Sequence, residues 1–415
     1  MVTTPFLGTQ VNDGDATSNT LTVKQIGSGG YNSVNAKQNS ELGGGTNTAT
    51  ITQKNGSVNR VTGLNQITNA KGDNTTTISV DGSRNRFDTV FQNNTGNKDN
   101  KITATIVGSR NGADYDSGVK QVFTLGGNAA ASGATNGNLS QNGTNNEIKL
   151  TITGDQNLFG INQTGNANEL SAISINGAEN ELGVVQVSGT SNSLKINGIN
   201  GDENNIGVIQ NGGANEGVIK LGSTSGETNG NLIYLEQRLG ATANINIQDG
   251  DDNDISVVQL NGPGNEVDID LYATGTDGSS NNYLRLMQDG SGNYNKVAIT
   301  GSNNNRGSFD SSGPAWQNND IAYNVASAAS LSPGDLMQYG DGNEARFSVT
   351  GDSNLFAMLQ EGNYNDVKAT MTGDYNELAV VQDGNYNEAT FTQTGSYNTV
   401  GVVQTGNYNT ATVTQ

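Results

Sequence analysis

No cysteine and no histidine occurs anywhere in the 415 residues. Their absence removes disulfides, thiol nucleophiles, Cys or His metal sites and every Ser-His or Cys-His catalytic pairing. Proline and tryptophan are scarce, at 4 and 1. Positive charge is scarce too: 20 Lys and Arg face 40 Asp and Glu, a net charge of -20, which argues against nucleic acid as a partner. Apolar runs are far too short to span a bilayer, so no membrane insertion is expected. The opening Met1-Val-Thr-Thr-Pro-Phe-Leu7 lacks the basic region and long apolar core of a secretory signal and reads as a mature form with an added Met. With 32% hydrophobic residues and 57 glycines, the composition resembles that of disordered chains, and one large globular core is not expected.

Periodicity overrules composition. Asn343, Asn354, Asn365, Asn376, Asn387, Asn398 and Asn409 follow one another at intervals of 11, each three residues after a glycine: Gly340, Gly351, Gly362, Gly373, Gly384, Gly395 and Gly406. An 11-residue period also suits a right-handed coiled coil, but every unit here carries a Gly and Asn breaker. Between breakers the residues alternate: Asn376, Leu378, Val380 and Gln382 share one face, as do Asn387, Ala389, Phe391 and Gln393. The pattern is a strand of about seven residues. The segment Gln-x-Gly-x-x-Asn supplies the turn, with positive φ assigned to its Gly and Asn.

Such units bury a common face only by stacking. The expected fold is all-β, a flattened two-sheet β-solenoid of 11-residue strand-turn units, two of them and so about 22 residues to each coil. Phe356, Met358, Val367, Ala369, Leu378, Val380, Ala389, Phe391, Val400 and Val402 are the expected core. An amide ladder is expected at Gln338, Asn343, Asn354, Gln360, Asn365, Asn376, Gln382, Asn387, Gln393, Asn398, Gln404, Asn409 and Gln415, with Asn over Asn and Gln over Gln. The beat starts at Asn19, so residues 1–18 read as a non-repeat segment and 19–415 as a single solenoid. Insertions fall near 113–138, with a strand-like Val119–Leu125 inside, and near 306–336, around Pro314 and Trp316. The beat predicts about thirty strands and about fifteen coils, hence a rod of roughly 70 Å at the ~4.8 Å strand spacing.

Outward positions differ between the sheets. One sheet shows Arg346, Ser348, Lys368, Thr370, Thr390 and Thr392, and the other Ala357, Leu359, Ala379, Val381, Gly401 and Val403. No stretch reads as a helix able to cover the second face. Leu359, Val381 and Val403 are therefore candidates for lateral pairing with another copy. The turn tyrosines Tyr364, Tyr386 and Tyr408, and Tyr375 and Tyr397, are expected to stack from coil to coil. Most Asp and Glu occupy turns or the position after the anchor Asn and read as solvating charge, so neither an enzyme nor a cofactor is expected. The chain closes on the complete unit Asn409–Gln415, and a similar unit opens at Asn19. Asn19, Leu21, Val23 and Gln25 at one end, and Ala411 and Val413 at the other, are the candidate contacts for head-to-tail addition.

The string Gln382-Asp-Gly384-Asn-Tyr-Asn387-Glu-Ala389-Thr-Phe-Thr-Gln393, repeated at Gln404 to Gln415, resembles the curlin repeat of bacterial curli subunits. The resemblance spans Gln338 to Gln415 closely and Asn19 to Asn304 more loosely. It implies an extracellular functional amyloid of Gram-negative biofilm, serving adhesion and surface attachment, with a secretion channel and a nucleator as partners. On it, Gln382, Asn387, Gln393, Gln404, Asn409 and Gln415 match ladder positions, while Asn376 and Asn398 stand where family repeats carry Ser. The rival reading is an ice-binding solenoid using Thr rows such as Thr48, Thr50 and Thr52, against which stand Lys149, Lys195, Asp268, Arg346 and Lys368 on the same sheet. A calcium-binding repeat or a polysaccharide-degrading solenoid fits less well, since the regular Gly-Gly-x-Gly-x-Asp nonapeptide is lacking.

Overall fold

The computed structural model describes residues 6–13, 19–24, 33–41, 46–54, 58–68, 72–112, 136–171, 173–222, 228–248, 250–271, 279–309 and 321–415, with the backbone path alone for 6–13 and 33–41. It divides into two compact units, Met1–Asn215 and Glu216–Gln415. Each unit is a parallel β-solenoid of two long sheets, and the first also holds a short parallel pair, Ile175–Asn176 with Ile199–Asn200.

Alternation sets the strands. In Leu355–Glu361 the side chains of Phe356, Met358 and Gln360 point into the space between the sheets and are fully buried, and in Glu388–Thr394 Ala389, Phe391 and Gln393 do the same from the opposite sheet. Phe347 and Phe356 meet across that space with ring centroids 5.2 Å apart. Burying one such large apolar side chain stabilises the fold by about 1.5–3 kcal/mol, so a thin coil with two or three per strand can hold together despite the polar composition.

In the first unit one sheet runs Phe6–Asp13, Ser33–Glu41, Arg60–Thr68, Thr89–Asn94, Asn138–Thr144, Leu158–Asn166, Glu181–Thr190 and Asn205–Asn211, each parallel to the next. Its partner sheet runs from Asn19–Leu21 to Ser193–Ile196 in shorter strands. In the second unit one sheet is Leu232–Arg238, Asp254–Leu260, Tyr283–Asp289, Asp335–Tyr339, Leu355–Glu361, Glu377–Asp383 and Thr399–Thr405. The other begins at Glu216–Ile219 and ends with Glu344–Thr350, Asp366–Thr372, Glu388–Thr394 and Thr410–Thr414. Partners in the C-terminal array are one two-strand coil apart, as in Leu378 with Val400 and Ala389 with Ala411. Insertions lengthen the coil without shifting the register: Gln92 pairs with Gln141, and Gln288 with Gln338.

Three expectations are corrected. Residues 6–13, placed outside the repeat by the sequence, form a strand in register with the next rung, position 10 beside Gln38 and Gln38 beside Gln66. The segment has Thr4 where the repeat would place its anchor Asn, but keeps the Gln at the rung position. Positive φ falls on the turn Gly and on the residue before the anchor Asn, as in Gly384 (130°) and Tyr386 (56°), and not on the anchor Asn itself. The anchor needs extended geometry to send its side chain inward. Finally, a helix does cover the apolar sheet: α1, Ile321–Ala328, buries Ala322, Val325 and Ala326. Val119–Leu125, Pro314, Trp316 and Gln25 lie outside the described residues.

Candidate functional site

Three lines of side chains run from coil to coil. The first is a glutamine ladder in one sheet of each unit. In the first unit Gln66 donates from Nε2 to Gln92 Oε1 (2.9 Å), and the chain continues through Gln141 (2.8 Å), Gln163 (2.9 Å), Gln186 (2.8 Å) and Gln210 (2.7 Å). In the second unit it passes from Gln338 to Gln360, Gln382 and Gln404 at 2.8, 2.9 and 2.8 Å. The remaining amide hydrogen crosses to the other sheet, from Gln360 to the Glu344 carbonyl (3.0 Å) and from Gln382 to that of Asp366 (3.1 Å). A buried amide is thereby satisfied on both sides, which removes most of the cost of burying it.

Among the described residues the opposite sheet has no such glutamine line. Gln393 lies beside Met371 in register, its Oε1 has no partner, and its Nε2 donates to the Glu377 carbonyl at 3.0 Å. Gln415 is exposed and reaches the Thr399 carbonyl at 3.4 Å. Upstream rungs fill this position with Met371 and Val349, so Gln393 has no amide before it to stack on.

The second line is the anchor asparagines, which run up both edges. Asn387 donates its backbone N–H and its Nδ2 to Asn365 Oδ1, each at 3.0 Å, and Nδ2 also donates to the Gly406 carbonyl at 2.8 Å. Asn343, Asn365 and Asn376 repeat this pattern, Asn354 repeats its two bonds to the preceding Asn, and all four are buried. The ladder has a direction: each Oδ1 accepts from the rung that follows. At the last rung Asn398 and Asn409 bond back to Asn376 and Asn387, and among the described residues nothing donates to their own Oδ1 atoms. Of the candidate end contacts, Asn19, Leu21, Val23, Ala411 and Val413 are half-buried on edge rungs.

The third line lies in the turns. Gly340, Gly351, Gly362, Gly373, Gly384, Gly395 and Gly406 all have φ between 99° and 130°. At Gly384 an added Cβ would also collide with the carbonyl of Gly406 one coil on, so two separate reasons require glycine there. The residue after each glycine forms a ladder that the sequence reading missed. Asp341 N–H donates to Asn363 Oδ1 (2.8 Å), Asn363 to Asn385 (2.9 Å) and Asn385 to Asn407 (2.8 Å), while Asp352 donates to Asp374 Oδ1 on the other edge (2.8 Å). Its signal was legible: every residue after a turn glycine from Asp341 to Asn407 is Asp, Asn or Ser. Tyr364, Tyr386 and Tyr408 stack with centroids 5.1 and 5.0 Å apart, and Tyr375 and Tyr397 at 5.1 Å.

On the apolar sheet Ala357 and Ala379 point outward and are nevertheless fully buried, because α1 and Phe309 sit on them. Ala357, Ala379 and Gly401 are in register, and a Cβ on Gly401 would run into Ile321 at the start of the helix. Of the lateral candidates, Val381 packs partly against this cluster, Leu359 is half-buried, and Val403 is 56% exposed. On the polar sheet Lys296, Arg346 and Lys368 are in register, each paired with an acid: Lys296 with Asp268 (2.9 Å), Arg346 with Glu344, and Lys368 with Asp366 (2.7 Å). The hydrogen bond and charge of Asp366 raise the Lys368 ammonium above its ordinary pKa. Burial pushes the Glu147 carboxyl up, but Lys149 and Lys101 outweigh it and leave it below the usual value. Among the described residues no helix is long and apolar enough to cross a membrane.

Each unit is thus an amide-laddered parallel β-solenoid, and in the C-terminal array the turns repeat as regularly as the strands. Residues 373–406 and 384–415 match the family model of the curlin associated repeat, at the C-terminal end of the regular array. No curated protein matches the chain. Curlin repeats on a β-solenoid fit a curli-like structural subunit.

Proposed function

We propose that the chain is the subunit of an extracellular, amyloid-like fibre that grows by head-to-tail stacking of solenoids and serves as biofilm matrix and surface attachment. The role is structural rather than catalytic, and the partner is another copy. The observation that carries the reading is the direction of the asparagine ladder, which reaches the edge strands Thr399–Thr405 and Thr410–Thr414 with the Asn398 and Asn409 Oδ1 acceptors unfilled. An unpaired parallel edge with open amide acceptors is a template for another strand. An incoming copy would lay Phe6–Asp13 on Thr399–Thr405, with position 10 over Gln404, and Asn19–Leu21 on Thr410–Thr414, with Asn19 over Asn409. A secretion channel and a nucleator remain expectations of the curli resemblance. Ice binding is less well supported, since Lys296, Arg346 and Lys368 interrupt the outward Thr rows.

Electron microscopy and fibre diffraction of the purified chain at neutral pH test the reading. Unbranched filaments with a meridional reflection near ~4.8 Å are expected. Growth should stop, with the fold retained, when A411D and V413D are introduced together into the last rung. A wild-type chain that stays a folded monomer at any concentration would overturn it.

A further inference from the structure

The tyrosines stand at a conformation that bulky residues seldom adopt, with φ between 56° and 63° at Tyr364, Tyr375, Tyr386, Tyr397 and Tyr408. This backbone geometry turns each ring outward along the edge of the stack, where the tyrosine residues are 49–77% exposed. Within each row the rings are nearly parallel, the planes of Tyr386 and Tyr408 differing by 3° and those of Tyr375 and Tyr397 by 5°. Centroid separations of 5.0–5.1 Å match the strand spacing, so the rung repeat and not chance contact sets the distance. The members of each pair lie a full coil apart in sequence and touch only because the coils are stacked.

From this we infer that the two rows are sites of oxidative cross-linking, in which a peroxidase with hydrogen peroxide joins tyrosines of adjacent coils as dityrosine. Each phenol gives up one electron and one proton. The two phenoxyl radicals couple through the ring carbons ortho to oxygen, and the hydrogen on each of those carbons moves to the phenolic oxygen and restores the aromatic ring. The peroxide takes up the two electrons and two protons and leaves as two waters. The rings are exposed enough to turn about their side-chain torsions, so the ortho carbons meet without a change in the backbone. The expected bonds are Tyr364 to Tyr386 or Tyr386 to Tyr408 in one row, and Tyr375 to Tyr397 in the other. Each closes a loop of one coil and staples the array covalently, a device that suits a structural protein without cysteine and does not depend on whether copies stack.

The test is to treat the full-length soluble chain with peroxidase and hydrogen peroxide, follow dityrosine fluorescence, and map the joined peptides by mass spectrometry. Links confined to the two rows, within single chains, and a cross-linked product that resists denaturant better than the untreated chain are expected. Y386F should lose every link of its row and keep the Tyr375–Tyr397 link, and Y397F should do the reverse. Links scattered over the 13 tyrosines, the same link pattern from a chain oxidised in denaturant, or no links in the folded chain would each overturn the inference.

Discussion

Replacing Asn365 by Ala removes a side chain that is only 1% exposed and holds three coils together. Its Nδ2 donates to Asn343 Oδ1 at 3.1 Å and to the Gly384 carbonyl at 2.8 Å, and its Oδ1 accepts from both the backbone N–H and Nδ2 of Asn387. Asn343 Oδ1 keeps the Asn365 backbone N–H at 3.0 Å, so it is not orphaned. The Asn387 N–H loses its partner in a buried place, and the Gly384 carbonyl loses its own in a half-buried one. At about 1–3 kcal/mol for the unsatisfied buried N–H and about 1 kcal/mol net for the half-buried hydrogen bond, N365A should cost roughly 2–4 kcal/mol. N409A changes the same residue type at the last rung, where nothing stacks on it and Asn387 Oδ1 retains the Asn409 N–H. It should cost only the net value of two hydrogen bonds that are not fully buried, to Asn387 Oδ1 and the Thr405 carbonyl, about 1–2 kcal/mol. Because a repeat array can lose rungs piecemeal, the assay is residue-resolved hydrogen exchange on soluble chain, read at the Asn387 amide, beside urea denaturation. N365A should accelerate exchange there far more than N409A. Equal effects, or an N365A cost below about 1 kcal/mol, would show that the ladder follows the strands rather than fixing them.

Gly384 and Gly395 share a positive φ, but only Gly384 faces an overlying carbonyl. G395A should therefore cost the backbone strain alone, about 1–3 kcal/mol, and G384A clearly more, measured by urea midpoints. Burial pushes the Asp254 carboxyl up, with Arg306 opposing. A raised acid pKa means the folded state takes up protons first, so this group costs stability when ionised and the cost is relieved as pH falls through the raised value. D254N should thus be more stable than wild type at neutral pH, with the gap closing towards acid; a gap that widens on acidification contradicts the assignment. G401L should unseat α1, speeding hydrogen exchange at Ala329 N–H, which closes the helix onto Val325, while Asn387 stays protected. Unchanged exchange at Ala329 would mean the helix does not rest on the small-residue row.

Most of the fold was legible because one physical rule repeats: alternating residues between Gly and Asn turns admit strands and nothing else, and stacking is the only way to bury Phe356 and Met358 together with Phe391. The asparagine ladder was legible for the same reason, since an inward amide at a fixed period has only its own image to bond. What escaped lies where the pattern is silent. Residues 6–13 have no anchor Asn six residues before their Gln, so only pairing reveals them as a rung. Gln393 looks like Gln382 in sequence, but its neighbour one coil upstream is Met371, and a ladder is a property of the column rather than of the residue. The helix shows Ala322, Val325 and Ala326 at helical spacing, yet eight residues are too few to be stable alone and only the sheet beneath makes them a helix.

That helix alters the account of how copies meet. A face of Ala357, Ala379 and Gly401 flanked by Leu359, Val381 and Val403 would otherwise be an apolar strip open to a second solenoid. With α1 lying on the small-residue row and Val381 packed against its cluster, lateral approach over these rungs must first remove a contact already made within the chain. The proposed end-to-end addition meets no such competitor among the described residues. It would extend ladders that already have a direction, each new coil supplying donors to acceptors that the last rung leaves unfilled. The same chain geometry thus weighs against broad-face pairing near α1 and in favour of growth along the stack, and I321D with V325D tests the balance. Loss of the helix should promote bundling while leaving filament length unchanged, and filaments that shorten instead would place the helix at the growing end.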